Sequence, residues 1–143
     1  MSITIKNTND DRIEIGYFGF YRLRLKIAEL TAEDIYRHYE HLTEFSKMSK
    51  EERNHYNLET DKMMCKYQHS QEHLVMEFLY ASECDGAMDA EHCKAIYNVI
   101  KDCQDKTQYG YVDYASLEIP ATISSFAELL KEAVDSGEGI EWY

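Results

Sequence analysis

Apolar and polar residues alternate from the start of the chain. Ile3 and Ile5 alternate with Thr4 and Lys6, and Ile13, Ile15 and Tyr17 with Arg12, Glu14 and Gly16. This period of two puts one face of a strand against a core. Between the two runs, Asn7-Thr8-Asn9-Asp10-Asp11 is built of residues whose short side chains bond their own backbone in turns. Residues 3–17 are therefore expected to form a hairpin, with a loop longer than the two-residue turns that fix register. Residues 18–30 carry two periods at once. Tyr21-Arg-Leu-Arg-Leu-Lys-Ile27 alternates strictly, while Phe20, Leu23, Ile27 and Leu30 fall at helical spacing. A strand running from 12 to 30 would be far longer than the usual five or six residues, so a helix is expected here.

Helical periods dominate from there on. Thr31, with Asp34 three residues on, resembles a capping box with a shorter acid and predicts a helix over about 32–46, with Ile35, Tyr39, Leu42 and Phe45 as its stripe. Ser49, followed by Glu51 and Glu52, predicts a second N-cap with acids against the positive end of the helix dipole, opening a polar, weakly amphipathic helix through 50–68. Leu74, Val75, Phe78 and Leu79 mark a helix over 71–82. Asp89 caps one over 90–103 that carries Cys93, Ile96, Tyr97 and Ile100. A loop with Tyr109-Gly-Tyr111 and Pro120 follows. Thr122 or Ser124 then starts the last helix, with Phe126, Leu129, Leu130 and Val134 inward and Gly137 near its end. Gly139–Tyr143 reads as a third strand beside the hairpin. One proline and six glycines enforce few turns. The expected class is α+β: a helix-dominated single domain over residues 1–143 with a small antiparallel sheet.

Charge sharpens this picture. Hydrophobic residues make up 44% of the chain, too many for a disordered protein, and no apolar run of about 18 residues predicts a membrane span. The 15 Lys and Arg against 27 Asp and Glu leave a formal charge of −12. Direct binding to nucleic acid or anionic lipid, both polyanionic, is therefore not expected. Residues 1–71 hold 11 basic and 12 acidic side chains, whereas residues 72–143 hold 4 and 15. The acidic half reads either as a solvated surface aiding solubility or as a face that docks on a basic partner. Glu128, Glu132 and Asp135, near one another on the predicted last helix, are the candidate acidic face. The N-terminus has neither the charged region nor the long apolar region of a signal peptide. Cys65, Cys84, Cys93 and Cys103 contain no CxxC pair, and reduced thiols in a cytoplasmic protein are expected.

Candidate chemistry is sparse. Ala81-Ser-Glu-Cys-Asp-Gly-Ala-Met-Asp-Ala-Glu-His92 looks like an EF-hand loop, with Gly86 where that loop turns sharply and Met88 at its hydrophobic position. A calcium loop needs oxygen ligands at positions 1, 3 and 5 and a bidentate Glu at 12. Here position 1 is Ala81 and position 12 is His92, leaving Glu83, Asp85 and Asp89. The expectation is a structural helix-loop-helix with a glycine turn and an Asp89 cap. Cys65, His69 and His73 are four apart and on one helix would share a face. Cys and His ligate zinc, but ligands spread over two full turns do not converge on one ion, and His38 with His41, or Cys84 with Cys93, could complete a site only through the fold. Surface histidines and buried thiols are expected instead. No nucleophile elbow or phosphate loop frames these residues, so no catalytic residue, metal or cofactor is expected. Arg22, Arg24 and Lys26, the densest basic cluster, read as solvated positions flanking Leu23, Leu25 and Ile27. Tyr109, Tyr111 and Tyr114, among 12 tyrosines, are candidate interface aromatics, because tyrosine joins a rigid apolar body to a polar tip.

The segments Phe18–Ala28 and Phe78–Tyr97, with the C-terminal helix and Glu141-Trp142, resemble a family of small uncharacterised proteins of Gram-positive bacteria and their phages, over about half of the chain. The resemblance implies a bacterial or phage origin and supplies no activity or catalytic residue. The expected function is a non-enzymatic acidic interaction protein, an accessory protein of a phage or mobile element that binds and modulates a host defence protein. The alternative is a small-molecule- or metal-binding domain using the 81–92 loop or the Cys/His set.

Overall fold

In the computed structural model of the protein, which describes residues 2–110 and 121–143, the N-terminal alternation folds as a hairpin. Strands β1 (Ser2–Asn7) and β2 (Arg12–Gly16) pair antiparallel with Ile3 opposite Ile15 and Ile5 opposite Ile13. All four isoleucines face one side and are buried. Asn7 organises the turn. Its Oδ1 accepts from the backbone N–H of Asn9 (3.0 Å) and Asp11 (3.1 Å), while its Nδ2 reaches out of the hairpin to the Leu129 carbonyl (3.2 Å). Asp10 takes the left-handed conformation (φ 67°) that this loop needs.

Helix α1 (Tyr17–Thr31) follows β2 directly and buries Phe20, Leu23, Ile27 and Ala28. The helical period therefore prevails over the strict alternation of 21–27. Arg24 is buried with them, contrary to the expectation of a solvated basic cluster: its guanidinium is held by backbone carbonyls of another helix end. The single helix expected over 32–46 is instead two pieces, α2 (Glu33–Glu40) and a 3₁₀ helix (His41–Lys47). Thr31 does not cap α2. It is still helical, so its hydroxyl donates to the Ile27 carbonyl of its own preceding turn (2.7 Å). The extended residue at the junction is Ala32 (φ −164°, ψ 146°). Asp34 turns outward to Lys66 Nζ (2.8 Å) and the Tyr67 hydroxyl (2.7 Å).

The other caps follow their residue types. Ser49 and Glu52 form a reciprocal capping box at the start of α3 (Lys50–Lys66), a polar helix whose buried residue is Tyr56. Helix α4 (Gln71–Leu79) stops short of the expected residue 82. Asp89 caps α5 (Ala90–Ile100) through the His92 N–H at 2.9 Å, and Thr122 caps α6 (Ile123–Asp135) through Ser125. At the end of α6, the Gly137 N–H donates to Val134 and the Glu138 N–H to Ala133. That bonding places Gly137 in the left-handed region (φ 67°).

Two further strands complete the sheet. β3 (Gly86–Met88) and β4 (Ile140–Trp142) give an antiparallel order β2-β1-β4-β3. Sequence alternation predicts β4 but not the three-residue β3. Trp142 is 1% exposed and meets Phe20 and Phe78 edge-on at ring-centroid distances of 5.9 and 5.6 Å. These rings join the sheet to α1 and α4, while α5 and α6 pack on each other and close the core. Among the described residues, six α-helices and four strands make the helix-dominated α+β fold expected, and no helix is long and apolar enough to cross a membrane.

Candidate functional site

Helix α6 is amphipathic. Ile123, Phe126, Leu129, Leu130 and Ala133 are buried, while Glu128, Glu132 and Asp135 are exposed on the opposite side. The fold adds a fourth acid that sequence spacing does not place there. Because Asn7 ties the hairpin turn to α6, donating also to Glu132 Oε2 at 3.2 Å, Asp11 comes within hydrogen-bonding reach of Glu132. The Asp11 contact, reinforced by the charge of Glu128, raises the Glu132 pKa above the usual carboxylate range, and Asn7 opposes it. No Lys, Arg or His of the described residues lies within ion-pair distance of Glu128, Glu132 or Asp135. Lys131 is exposed on the same helix but pairs with none of them, so the like charges still repel and a further cation brought to them relieves that repulsion.

The aromatic candidates divide. Tyr111 and Tyr114 lie outside the described residues. Tyr109 is 5% exposed, so its ring belongs to the core, with Arg22 stacked 5.7 Å from its centroid. Its backbone N–H donates to the Ala121 carbonyl at 2.8 Å.

The loop over 81–92 uses its calcium-like residues for other bonds. Gly86 lies in β3, not in a left-handed turn. It is glycine because a Cβ there would stand 2.2 Å from Cζ2 of Trp142. The indole Nε1 donates to the Ser82 carbonyl at 2.8 Å. Asp89 is occupied as the α5 cap, and the His92 ring bonds the same carboxylate at 2.6 Å. The Cys65–His69–His73 series is not on one helix: Cys65 lies in the last turn of α3, His69 adopts φ 66°, and His73 belongs to α4. Cys93 is buried, and burial pushes its thiol pKa up to about 12, which suppresses thiolate chemistry. Among the described residues no three His, Cys, Asp or Glu are grouped to hold a metal ion. His38 and His41 instead join His55 around an open cavity of about 460 Å³. No protein-family model, curated protein or solved structure matches the chain.

Proposed function

We propose that the protein is a non-enzymatic interaction protein whose acidic α6 face, extended by Asp11, docks on a basic surface of a host protein. In its specific form the reading is of a phage or mobile-element accessory protein, with a defence factor as the partner. The observation that carries it is the exposed face of α6, where Glu128, Glu132 and Asp135 stand together and none is in an ion pair among the described residues, in a chain half with 15 acidic against 4 basic side chains. A surface that served solubility alone gains nothing from gathering its charges on one rigid face. The resemblance to small proteins of Gram-positive bacteria and their phages supports the choice of a bacterial host.

The test starts from a partner captured on the intact protein from a Gram-positive host lysate. Association is expected to weaken steeply with salt, since exposed charges are screened over roughly 8–10 Å at physiological ionic strength. Replacing Glu128→Gln, Glu132→Gln and Asp135→Asn together is expected to slow association with little change in dissociation, because rim charges act mainly on encounter. The matched triple Glu40→Gln, Glu44→Gln and Glu51→Gln is expected to do much less. Equal effects of both triples, or salt-independent binding, would overturn the reading.

A further inference from the structure

One concave surface carries two arginines against a single carboxylate, Glu83, in a chain whose net charge is −12. The middle of α1, the end of α2, the 3₁₀ helix, the start of α3 and the end of α4 line an open cavity of about 590 Å³. That volume falls within the roughly 300–1,000 Å³ of small-molecule sites. Two arginines belong to its wall, Arg24 deep and Arg53 at the rim. Tyr21, Tyr39, Leu42 and Tyr80 belong to the same wall. Tyr21 and Tyr39 are stacked at 5.5 Å, with Tyr80 edge-on to Tyr39 at 5.5 Å.

Both guanidiniums are bonded to carbonyls and to no carboxylate. Arg24 is 4% exposed. Its Nη1 donates to the carbonyls of Leu79 (3.3 Å) and Ala81 (2.9 Å), and Nη2 to that of Ser82 (3.3 Å). Its Cζ stands 4.1 Å from the Phe20 centroid. Its Nε, fully buried, has no partner among the described residues. Arg53 donates from Nε to the Phe45 carbonyl (3.0 Å) and from Nη2 to that of Ser46 (2.9 Å). Neither has an Asp or Glu within ion-pair distance among the described residues.

Carbonyls at helix ends carry only partial negative charge, so they offset part of what a buried cation loses on leaving water. The deficit registers at Arg24, where burial lowers the pKa despite the opposing influence of Tyr39 and, more weakly, Glu83. A carbonyl cap on α4 explains the placement of Arg24 alone. Arg53 caps carbonyls near the end of the 3₁₀ helix in the same way, and neither cap makes use of the cavity that the two arginines share with tyrosine rings.

We propose that this cavity binds a small organic anion, its carboxylate or phosphate group set against Arg53 and Arg24 and its flat apolar body packed on Tyr21, Tyr39 and Tyr80. The acid recruits the two guanidiniums as charge-assisted donors. The body covers the partly exposed rings of Tyr21 and Tyr80, behind which Tyr39 is already buried. The inference is independent of the acidic α6 face, which belongs to a different surface of the fold.

The experiment uses the intact protein and four probes: benzoate and phenyl phosphate as candidate anions, benzyl alcohol as the neutral body, and inorganic phosphate as the head alone. Trp142, the single tryptophan, reports on the site because its ring centroid lies 5.7 Å from the Arg24 Cζ. Fluorescence excited selectively in the indole, checked by calorimetry, is expected to show saturable binding of at least one organic anion at roughly millimolar concentration or below, the range of small fragments. Benzyl alcohol and inorganic phosphate are each expected to bind at least about tenfold more weakly. Arg53→Gln, at an exposed position, is expected to weaken the anion about tenfold through loss of charge-assisted hydrogen bonding. Leu42→Phe, which enlarges a side chain in the cavity wall without changing charge or adding a second indole, is expected to weaken binding at least about tenfold, with circular dichroism confirming the fold of both variants. Binding of benzyl alcohol as tight as that of benzoate, inorganic phosphate as tight as phenyl phosphate, an affinity indifferent to Arg53→Gln in the folded variant, or no saturation by either organic anion would overturn the proposal.

Discussion

A methyl group added at Gly86 has nowhere to go. The Cζ2, Cε2 and Cη2 atoms of Trp142 lie 2.2, 2.5 and 2.9 Å from where its carbon would stand. The indole is pinned by its bond to Ser82 and by edge contacts with Phe20 and Phe78. Gly86→Ala is therefore expected to cost about 1–3 kcal/mol, the range for overpacking a close-fitted core, as read by urea unfolding. Gly137 makes a different demand: a Cβ there meets no atom within 4 Å, and only the backbone, at φ 67°, resists a side chain. Gly137→Ala is expected to cost about 1–2 kcal/mol and Gly137→Asn less, because asparagine tolerates the left-handed region. A third residue-scale prediction concerns His38, whose Nε2 bonds the Thr60 hydroxyl at 2.7 Å and whose ring stacks on Tyr56 at 4.0 Å. Burial lowers its pKa, with Glu59 opposing and His41 and His55 assisting. The unfolded chain thus takes up the proton first as pH falls. The stability linked to His38 is complete above the unfolded value near 6.5 and is lost as pH drops through the lower folded value. Urea midpoints measured between pH 7.5 and pH 5 are expected to fall, and His38→Phe, which keeps the stacking and cannot titrate, is expected to flatten that slope.

Elements whose signals are local follow the sequence closely, and those that compete for the same residues do not. Thr122 and Thr31 both precede helical stretches, but only Thr122 is extended (φ −102°, ψ 171°) and accepts from the Ser125 N–H. Thr31 remains inside α1, where its hydroxyl bonds backward. Thr122→Ala is expected to cost about 1 kcal/mol and Thr31→Ala less than half of that, a contrast that paired thermal or urea unfolding will resolve. If the two cost the same, the cap assignment at α6 is wrong. The 81–92 stretch shows the same competition at the scale of an element. Its resemblance to a calcium loop comes from Gly86, the preceding Asp85, Met88 and the two flanking helices. The middle of the loop extends instead as β3, because β4 offers it a ladder and Trp142 needs the glycine's open face.

The two ends of the chain meet in the middle of the sheet. β4 pairs with β1 (Ile5 opposite Trp142) and with β3 (Gly86 opposite Trp142), and the Thr4 and Tyr143 backbones bond each other at 2.9 and 3.1 Å. Deleting residues 139–143 removes a central strand and a fully buried indole at once. Loss of a large core aromatic costs about 3–5 kcal/mol, a large part of the 5–15 kcal/mol that holds a domain together. The truncated chain is expected to lose most of its cooperative thermal transition, and a melting temperature equal to that of the intact protein would refute the central placement of β4. At this scale the charge partition also acquires a location, since α5, α6 and β4 all come from the acidic half.

The helical state of 18–30 was legible only because a strand of that length is implausible, whereas periodicity and caps by themselves determined the hairpin, the starts of α3, α5 and α6, and the inward faces of α4 and α6. Each of these is decided by residues within a turn or two of one another, where apolar spacing and side-chain-to-backbone bonds act without help from the rest of the chain. Tertiary structure decided what depended on distant partners. Asp34 went to Lys66 and Tyr67, residues more than thirty positions away, and left α2 without a side-chain cap. Arg24, read as one of three solvated bases, went inside because carbonyls of Leu79, Ala81 and Ser82 were brought to it. Asp11 joined the acidic face through Asn7, whose amide spans 122 positions to Leu129. A buried charge or a crowded carboxylate is settled by the company it is given, and that company is assembled only when the strands close.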